Sequence, residues 1–282
     1  MTSPRLAVST PTGRMYRRDL SQPATVPSIT TVMSVAAPDL SGWAGYLAAT
    51  TLSEDSRLPE ALQTPGAVRP LVREAASAAE RFRDAAAERG DRLHNYAEAW
   101  ALRALGQAHE LEAARAKLED HGELANAAHF EAWWRDYGVE PVAAEVTIWN
   151  ATLGYAGTID LVARIGGRLC LVDYKTRGVD RDGQLKRPDE KVIMQLAAAA
   201  QAEEQNVDAE AGRWEPWPHP RNPLLLAVAL GAAPARTYLA TEAAVPTYFA
   251  QFQALHAAWQ ARQMIATNPS ALTEIAPPAA PA

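Results

Sequence analysis

The clearest alternation of apolar and polar positions lies in GTIDLVARIGGRLCLVDYKT, residues 157–176, where strand-forming residues flank two consecutive glycines. Gly166-Gly167 has the chemistry of a two-residue hairpin turn. With that turn, Ile165 pairs with Arg168, and counting outward sets Asp160 opposite Asp173, with Lys175 two residues on and on the same face. Leu161, Val162, Leu169, Leu171 and Val172 put apolar side chains on both faces, which predicts a hairpin inside a sheet. Cys170 falls on the face opposite Asp173 and reads as a small core residue.

The rest of the chain predicts mixed elements. Residues 1–25 read as an extended arm, and 27–52 as a short strand or turn followed by a helix with Trp43, Tyr46 and Leu47 at helical spacing. A Pro- and Gly-containing connector over 58–70 leads into 71–88, a long run of strong helix formers, which Gly90 interrupts. Beyond it His94, Glu98 and Leu102 share one helix face; Glu98 reads as solvent-facing or supporting. Residues 105–137 predict one or two helices broken near His121-Gly122, with Phe130, Trp133, Trp134 and Tyr137 as core rather than a base-stacking surface. Residues 139–150 have the β-branched content of a strand and carry Glu145. A helix over 188–205, following the Asp173–Lys175 strand, would pack across the sheet and bring Gln195 near Lys175. Residues 208–222, with Trp214 and Trp217, read as a loop, either a flap or a surface turn. Strands over 223–230 and 236–240, a closing helix over 242–265 and a disordered Pro/Ala tail from residue 268 complete the chain.

Facing carboxylates destabilise a ladder, and more so in a partly buried sheet. A divalent cation would neutralise them, and hard oxygen ligands favour Mg²⁺ or Mn²⁺. A lysine beside such a site can orient an attacking water and stabilise charge on a phosphoryl group, a constellation suited to phosphodiester hydrolysis. The alternative is a surface hairpin with exposed ion pairs worth about 0–1 kcal/mol each. Three polar groups converging where an internal hairpin should be apolar favour the first reading.

These residues resemble a known family. Gly157 to Asp160 followed by Asp173-Tyr174-Lys175 is similar to the core of the PD-(D/E)XK nucleases, and more narrowly to their RecB-like, phage-type exonuclease branch. Gly90 to His94 resembles that branch's Gly-x-x-x-His motif, whose histidine binds metal, and Gln195 resembles the glutamine opening its Q-x-x-x-Y helix. Ala199 stands where the tyrosine of that helix is expected. The resemblance covers about residues 67–240, with weaker similarity at PSITTVMSV and SGWAGYLAA. It implies that His94, Asp160, Asp173 and the Tyr174 carbonyl hold Mg²⁺ or Mn²⁺, that Lys175 is catalytic, and that Gln195 holds Lys175 or the substrate. Relatives often have an acid at the Glu145 position, so Glu145 is either a group positioning water or a second metal, or an ordinary strand glutamate.

Composition narrows this picture. A chain of 282 residues can bury a sizeable core. It has no apolar run long enough to cross a membrane and no signal-peptide pattern, so a cytoplasmic setting in a bacterial or phage-infected cell is the default. The single cysteine cannot supply the four ligands of the iron–sulfur cluster some RecB-like nucleases carry. A net charge of −6 does not favour nucleic-acid binding, but Arg177, Arg181, Lys186, Arg187 and Lys191 follow the motif closely and would line either a DNA groove or a solvated loop.

The expected fold is α/β: the resemblance implies a PD-(D/E)XK (restriction-endonuclease-like) core with a mixed central sheet flanked by helices in αβββαβ order. The expected division is an N-terminal arm and helical extension over 1–66, a nuclease domain over 67–266 and a tail over 267–282. The expected function is metal-dependent exonucleolytic hydrolysis of DNA with an end, in phage-type recombination or end processing. A restriction-type or structure-selective endonuclease and a non-catalytic DNA-end-binding scaffold are the alternatives. RNA as substrate, oligomeric state and protein partners stay open.

Overall fold

The computed structural model describes residues 4–267 and 271–276. The N-terminal residues form a hairpin rather than an extended arm: β1 (Ala7–Thr10) pairs with β2 (Gly13–Tyr16), and β2 with the short β3 (Val26–Pro27). Ser28 caps α1 (Ile29–Met33) by accepting a hydrogen bond from the Thr31 amide. A peripheral group follows, α2 (Ser41–Ser53), α3 (Leu58–Ala61) and α4 (Val68–Ala76).

The helix expected over 71–88 breaks at Ser77, not at Gly90. From there α5 (Ala78–Ala104) runs unbroken for 27 residues, with Gly90 inside it. Glycine costs a helix about 1 kcal/mol relative to alanine, which the strong helix formers around it and packing against the sheet override; a Cβ on Gly90 would meet Thr176 Oγ1 at 3.9 Å. Next come α6 (Leu111–Asp120) and α7 (Leu124–Asp136), separated at His121-Gly122 as expected.

Three long strands form the centre: β4 (Glu140–Asn150), β5 (Tyr155–Ile165) and β6 (Arg168–Thr176). The β5–β6 turn is Gly166-Gly167, both at positive φ (57° and 75°), the conformation of a type I′ turn. Helix α8 (Lys191–Ala199) is shorter than the expected helix because Glu204 and Gln205 pair instead with Trp149 and Ile148. The region read as a loop is therefore largely an edge hairpin, β7 (Glu204–Asp208) and β8 (Arg213–Pro216), with Trp214 packed edge-on against Trp149. Strands β9 (Leu224–Leu230) and β10 (Arg236–Leu239) and helix α9 (Val245–Ala266) complete the described elements. The tail read as disordered lies partly outside the described residues.

The central sheet has seven strands in the order β10-β9-β6-β5-β4-β7-β8, with β6 and β9 parallel and the other pairs antiparallel. The αβββαβ order is present as α5, β4–β6, α8 and β9, with α6–α7 and β7–β8 inserted. One face buries Leu93, Phe130, Trp133, Cys170, Val172 and Tyr174 beneath α5–α7. The other buries Ile29, Leu171, Val192, Leu196, Ala227 and Phe252 beneath α1, α8 and α9. Alternation along β6 thus sends Cys170 into the first layer and Asp173 toward the second, as the strand period requires. The N-terminal hairpin is held to the sheet by Leu6 and Tyr16 against Trp149 and Ala156, and by the Arg18 guanidinium, 4.4 Å from the Trp149 ring centre and 5.0 Å from that of Trp214.

Candidate active site

The β5–β6 ladder pairs Ile165 with Arg168 and continues in register to Leu161 with Val172. At the next position the side chain takes over from the backbone: Asp160 Oδ2 accepts a hydrogen bond from the Tyr174 amide at 2.7 Å. This holds Asp160 near Asp173, although the ladder pairing ends one position short of the Asp160–Asp173 pair that the hairpin count predicts. Asp173 is only 4% exposed. Burial pushes its carboxyl up to about 6, with Lys175 opposing the shift and the Asp160 charge adding to it. Asp160 is raised as well, chiefly by burial, against the Lys175 charge and the Tyr174 amide.

Lys175 Nζ lies 2.7 Å from Asp173 Oδ2 and donates to Gln195 Oε1 at 3.0 Å. Gln195 reaches it from the first turns of α8, which crosses the strand ends as the sequence predicts. The Asp173–Lys175 contact is a close ion pair, but its angles leave buried Asp173 Oδ2 without a directed hydrogen bond. From α5, His94 places Nδ1 3.8 Å from Asp160 Oδ2. Burial lowers His94 to about 4, more than the Asp173 charge and the Tyr174 backbone raise it, so its imidazole is neutral with a lone pair to offer.

Glu145 sits on β4 between the pairs Ala144–Leu161 and Val146–Ile159, across from Asp160. Its φ of 49° lies in the left-handed region, which costs a residue with a Cβ about 1–2 kcal/mol. The twist turns Glu145 into the same cleft as His94, Asp160, Asp173 and Gln195. Glu145→Gly is expected to leave thermal stability unchanged or higher by up to about 1 kcal/mol, while cleavage activity falls. A thermal melt beside a nuclease assay checks this; a marked loss of stability would show that the side chain serves packing.

Arg14 and Tyr16 of β2, which carry no local signal in the sequence, line the cleft together with Ser28 and Thr30, which belong to the PSITTVMSV segment of weaker similarity. Tyr16 Oη lies 2.9 Å from Thr158 Oγ1. Gly157, first residue of the β5 motif, lets α1 approach, since a Cβ there would meet Ile29 Cδ1 at 2.7 Å. Ala199 also lines the cleft, so the aromatic expected on α8 is absent while Tyr16 enters from another element. Glu98, one turn beyond His94, is half-buried, and burial with the Asp160 charge raises its carboxyl. Of the basic run after the motif, Arg181, Lys186 and Arg187 are exposed, and Arg177 and Lys191 are partly buried.

Among the described residues, no three His, Cys, Asp or Glu side chains form a ready-made cation cage. Mg²⁺ typically binds through one or two carboxylates and completes its shell with water and phosphate oxygens. Buried Asp173 and partly buried Asp160, both with carboxyls raised by burial, are a donor set such a cation would satisfy.

The mixed sheet, with acids on adjacent strands and a lysine two residues beyond the second, defines a nuclease core. The sequence profile of the PD-(D/E)XK nuclease superfamily matches residues 55–272, and the chain belongs to that superfamily. The match begins inside the segment read as an N-terminal extension. No curated protein sequence matches the chain significantly. Superfamily members are typically metal-dependent nucleases that generally use Mg²⁺ or Mn²⁺, and membership supports a nuclease acting on DNA. No helix among the described residues is long and apolar enough to cross a membrane.

Proposed function

We propose that the chain is a Mg²⁺- or Mn²⁺-dependent DNA exonuclease of the RecB-like, phage type, acting in recombination or end processing. The observation that carries the hydrolytic reading is that Asp160, Asp173 and Gln195 line one cleft, with Lys175 in contact with both Asp173 and Gln195. The exonuclease branch is favoured because His94 and Gln195, the two further positions its motifs imply, line that same cleft.

Asp160, Asp173, the Tyr174 carbonyl and neutral His94 would hold the cation. When bound, it would supply Lewis-acid polarisation of a phosphoryl oxygen and lower the pKa of a nearby water. Lys175 orients the attacking water and stabilises charge developing on the scissile phosphate. Gln195 fixes the lysine's rotamer, so that little reorganisation is needed as the reaction proceeds. Glu145, across from Asp160 on β4 and lining the same cleft, would position water or a second metal ion.

End-labelled linear duplex and single-stranded DNA, incubated beside closed circular DNA with Mg²⁺ or Mn²⁺, test the reading. The expected result is metal-dependent loss of the linear substrates only. Cutting of the circle would assign an endonuclease on the same core. Binding without cleavage of any substrate would assign an end-binding scaffold.

A further inference from the structure

The parallel β6–β9 and antiparallel β9–β10 registers extend the catalytic rows across the sheet. Asp173 pairs with Ala227 and Ala227 with Tyr238; Lys175 pairs with Ala229 and Ala229 with Arg236. Residues in one cross-strand row share a face, so Arg236 and Tyr238 lie on the same side of the sheet as Asp173 and Lys175. Two strand spacings separate them from the acids, on the order of 10 Å.

Two guanidinium groups converge there on one ring. Arg236 on β10 and Arg187, in the loop leading to α8, each lie 5.7 Å from the Tyr238 ring centre. Arg236 has no carboxylate within ion-pair distance among the described residues, its guanidinium reaching only the Leu185 carbonyl at 3.4 Å. Arg187 has only Glu190, at 3.4 Å in a pair with both side chains over 60% exposed, an arrangement worth about 0–1 kcal/mol. Beneath them the Tyr238 hydroxyl is buried without a hydrogen-bond partner. Arg187 and Tyr238 also line a shallow, half-open cleft between α8 and the β9–β10 edge. Two under-compensated cations whose forked donors suit phosphate oxygens describe a site for the nucleic-acid backbone.

Resting on the nuclease reading above, we propose that Arg187 and Arg236, stacked on Tyr238, clamp a backbone phosphate of the DNA strand whose scissile phosphate lies at Asp173 and Lys175. Successive phosphates of one strand lie farther apart than the axial rise of about 3.4 Å per nucleotide, so the clamped phosphate is within about three nucleotides of the cut. The clamp offsets the net negative charge of the chain locally and holds the strand while the cleft acts on it.

The test compares wild type with Arg187→Gln plus Arg236→Gln, both exposed positions whose change leaves folding intact, verified by thermal melting. Tyr238→Phe serves as a second variant that keeps the ring and removes only the hydroxyl. Binding of single-stranded oligonucleotides is measured by anisotropy in the Lys175→Ala background, so that the strand stays whole. The double variant is expected to bind about tenfold more weakly, with the slope of log affinity against log salt reduced by about 1–2. In cleavage the loss falls on KM rather than kcat. Apart from the scissile position itself, neutral methylphosphonates placed at successive positions should weaken wild-type binding at one site within about three nucleotides of the cut, and cost the double variant nothing there. Unchanged affinity and salt slope, or a methylphosphonate penalty that persists in the double variant, overturns the clamp. Failure of wild type to cleave any DNA would instead overturn the nuclease reading, and the affinity and salt-slope comparisons would still decide the clamp.

Discussion

Lys175→Ala is expected to lower the rate of DNA cleavage about 10²- to 10³-fold, the usual loss when one preorganised electrostatic donor is removed, while DNA affinity changes little. The ammonium group is already placed in the free protein, 2.7 Å from Asp173 and 3.0 Å from Gln195. Its contribution is therefore to the developing charge of the reaction rather than to holding the strand. Single-turnover cleavage beside anisotropy binding separates the two. Cleavage at the wild-type rate would remove Lys175 from the mechanism, and a parallel collapse of binding would make it a substrate anchor.

Asp173→Asn is expected to abolish most cleavage, a fall of about 10³-fold or more for losing several kcal/mol of cation-dependent stabilisation, yet to stabilise the metal-free fold. Burial holds the Asp173 carboxyl at about 6, above the ordinary carboxylate value of 3.8. In that window the folded chain holds a proton that the unfolded chain has released. Stability from this group is present below about pH 4, declines as pH rises through about 6, and stays low above it. The gain from asparagine should therefore be largest near pH 7.5 and shrink toward pH 5. Added Mg²⁺ should raise the melting temperature of wild type by mass action and leave that of the variant nearly unchanged. Melts at both pH values, with and without Mg²⁺, check this. An asparagine variant that is less stable at pH 7.5, or one that gains as much from Mg²⁺ as wild type, would show that Asp173 is not held in a frustrated carboxylate pair.

The central hairpin was legible because its determinants are local. Two glycines at positive φ set the turn, the strand period of two sets the faces, and the acids follow by counting. The Lys175–Gln195 contact was legible because a helix that follows a strand packs back over it. Other boundaries depended on distant partners. Gly90 reads as a helix breaker until α5 is seen lying against Thr176. Residues 208–222 read as a loop because the edge strands there exist through pairing with β4 and through Trp214 on Trp149. The N-terminal hairpin reads as an arm because its apolar residues, Leu6 and Tyr16, find their partners far along the chain.

By itself, then, the sequence determined the Gly166-Gly167 hairpin and the placing of Asp160, Asp173 and Lys175 near one another, since turn chemistry and strand period act over a few residues, while its resemblance to the nuclease family implied the αβββαβ order and the candidacy of His94 and Gln195. Only the tertiary structure decided how deeply those acids are buried and how far their ionisation is displaced. It also decided that Glu145 takes a left-handed twist into the cleft, that Arg14 and Tyr16 line it, and that Arg187 meets Arg236 on one tyrosine ring. These outcomes rest on packing between segments widely separated along the chain, where burial and electrostatics are set by the assembled core rather than by neighbours in sequence.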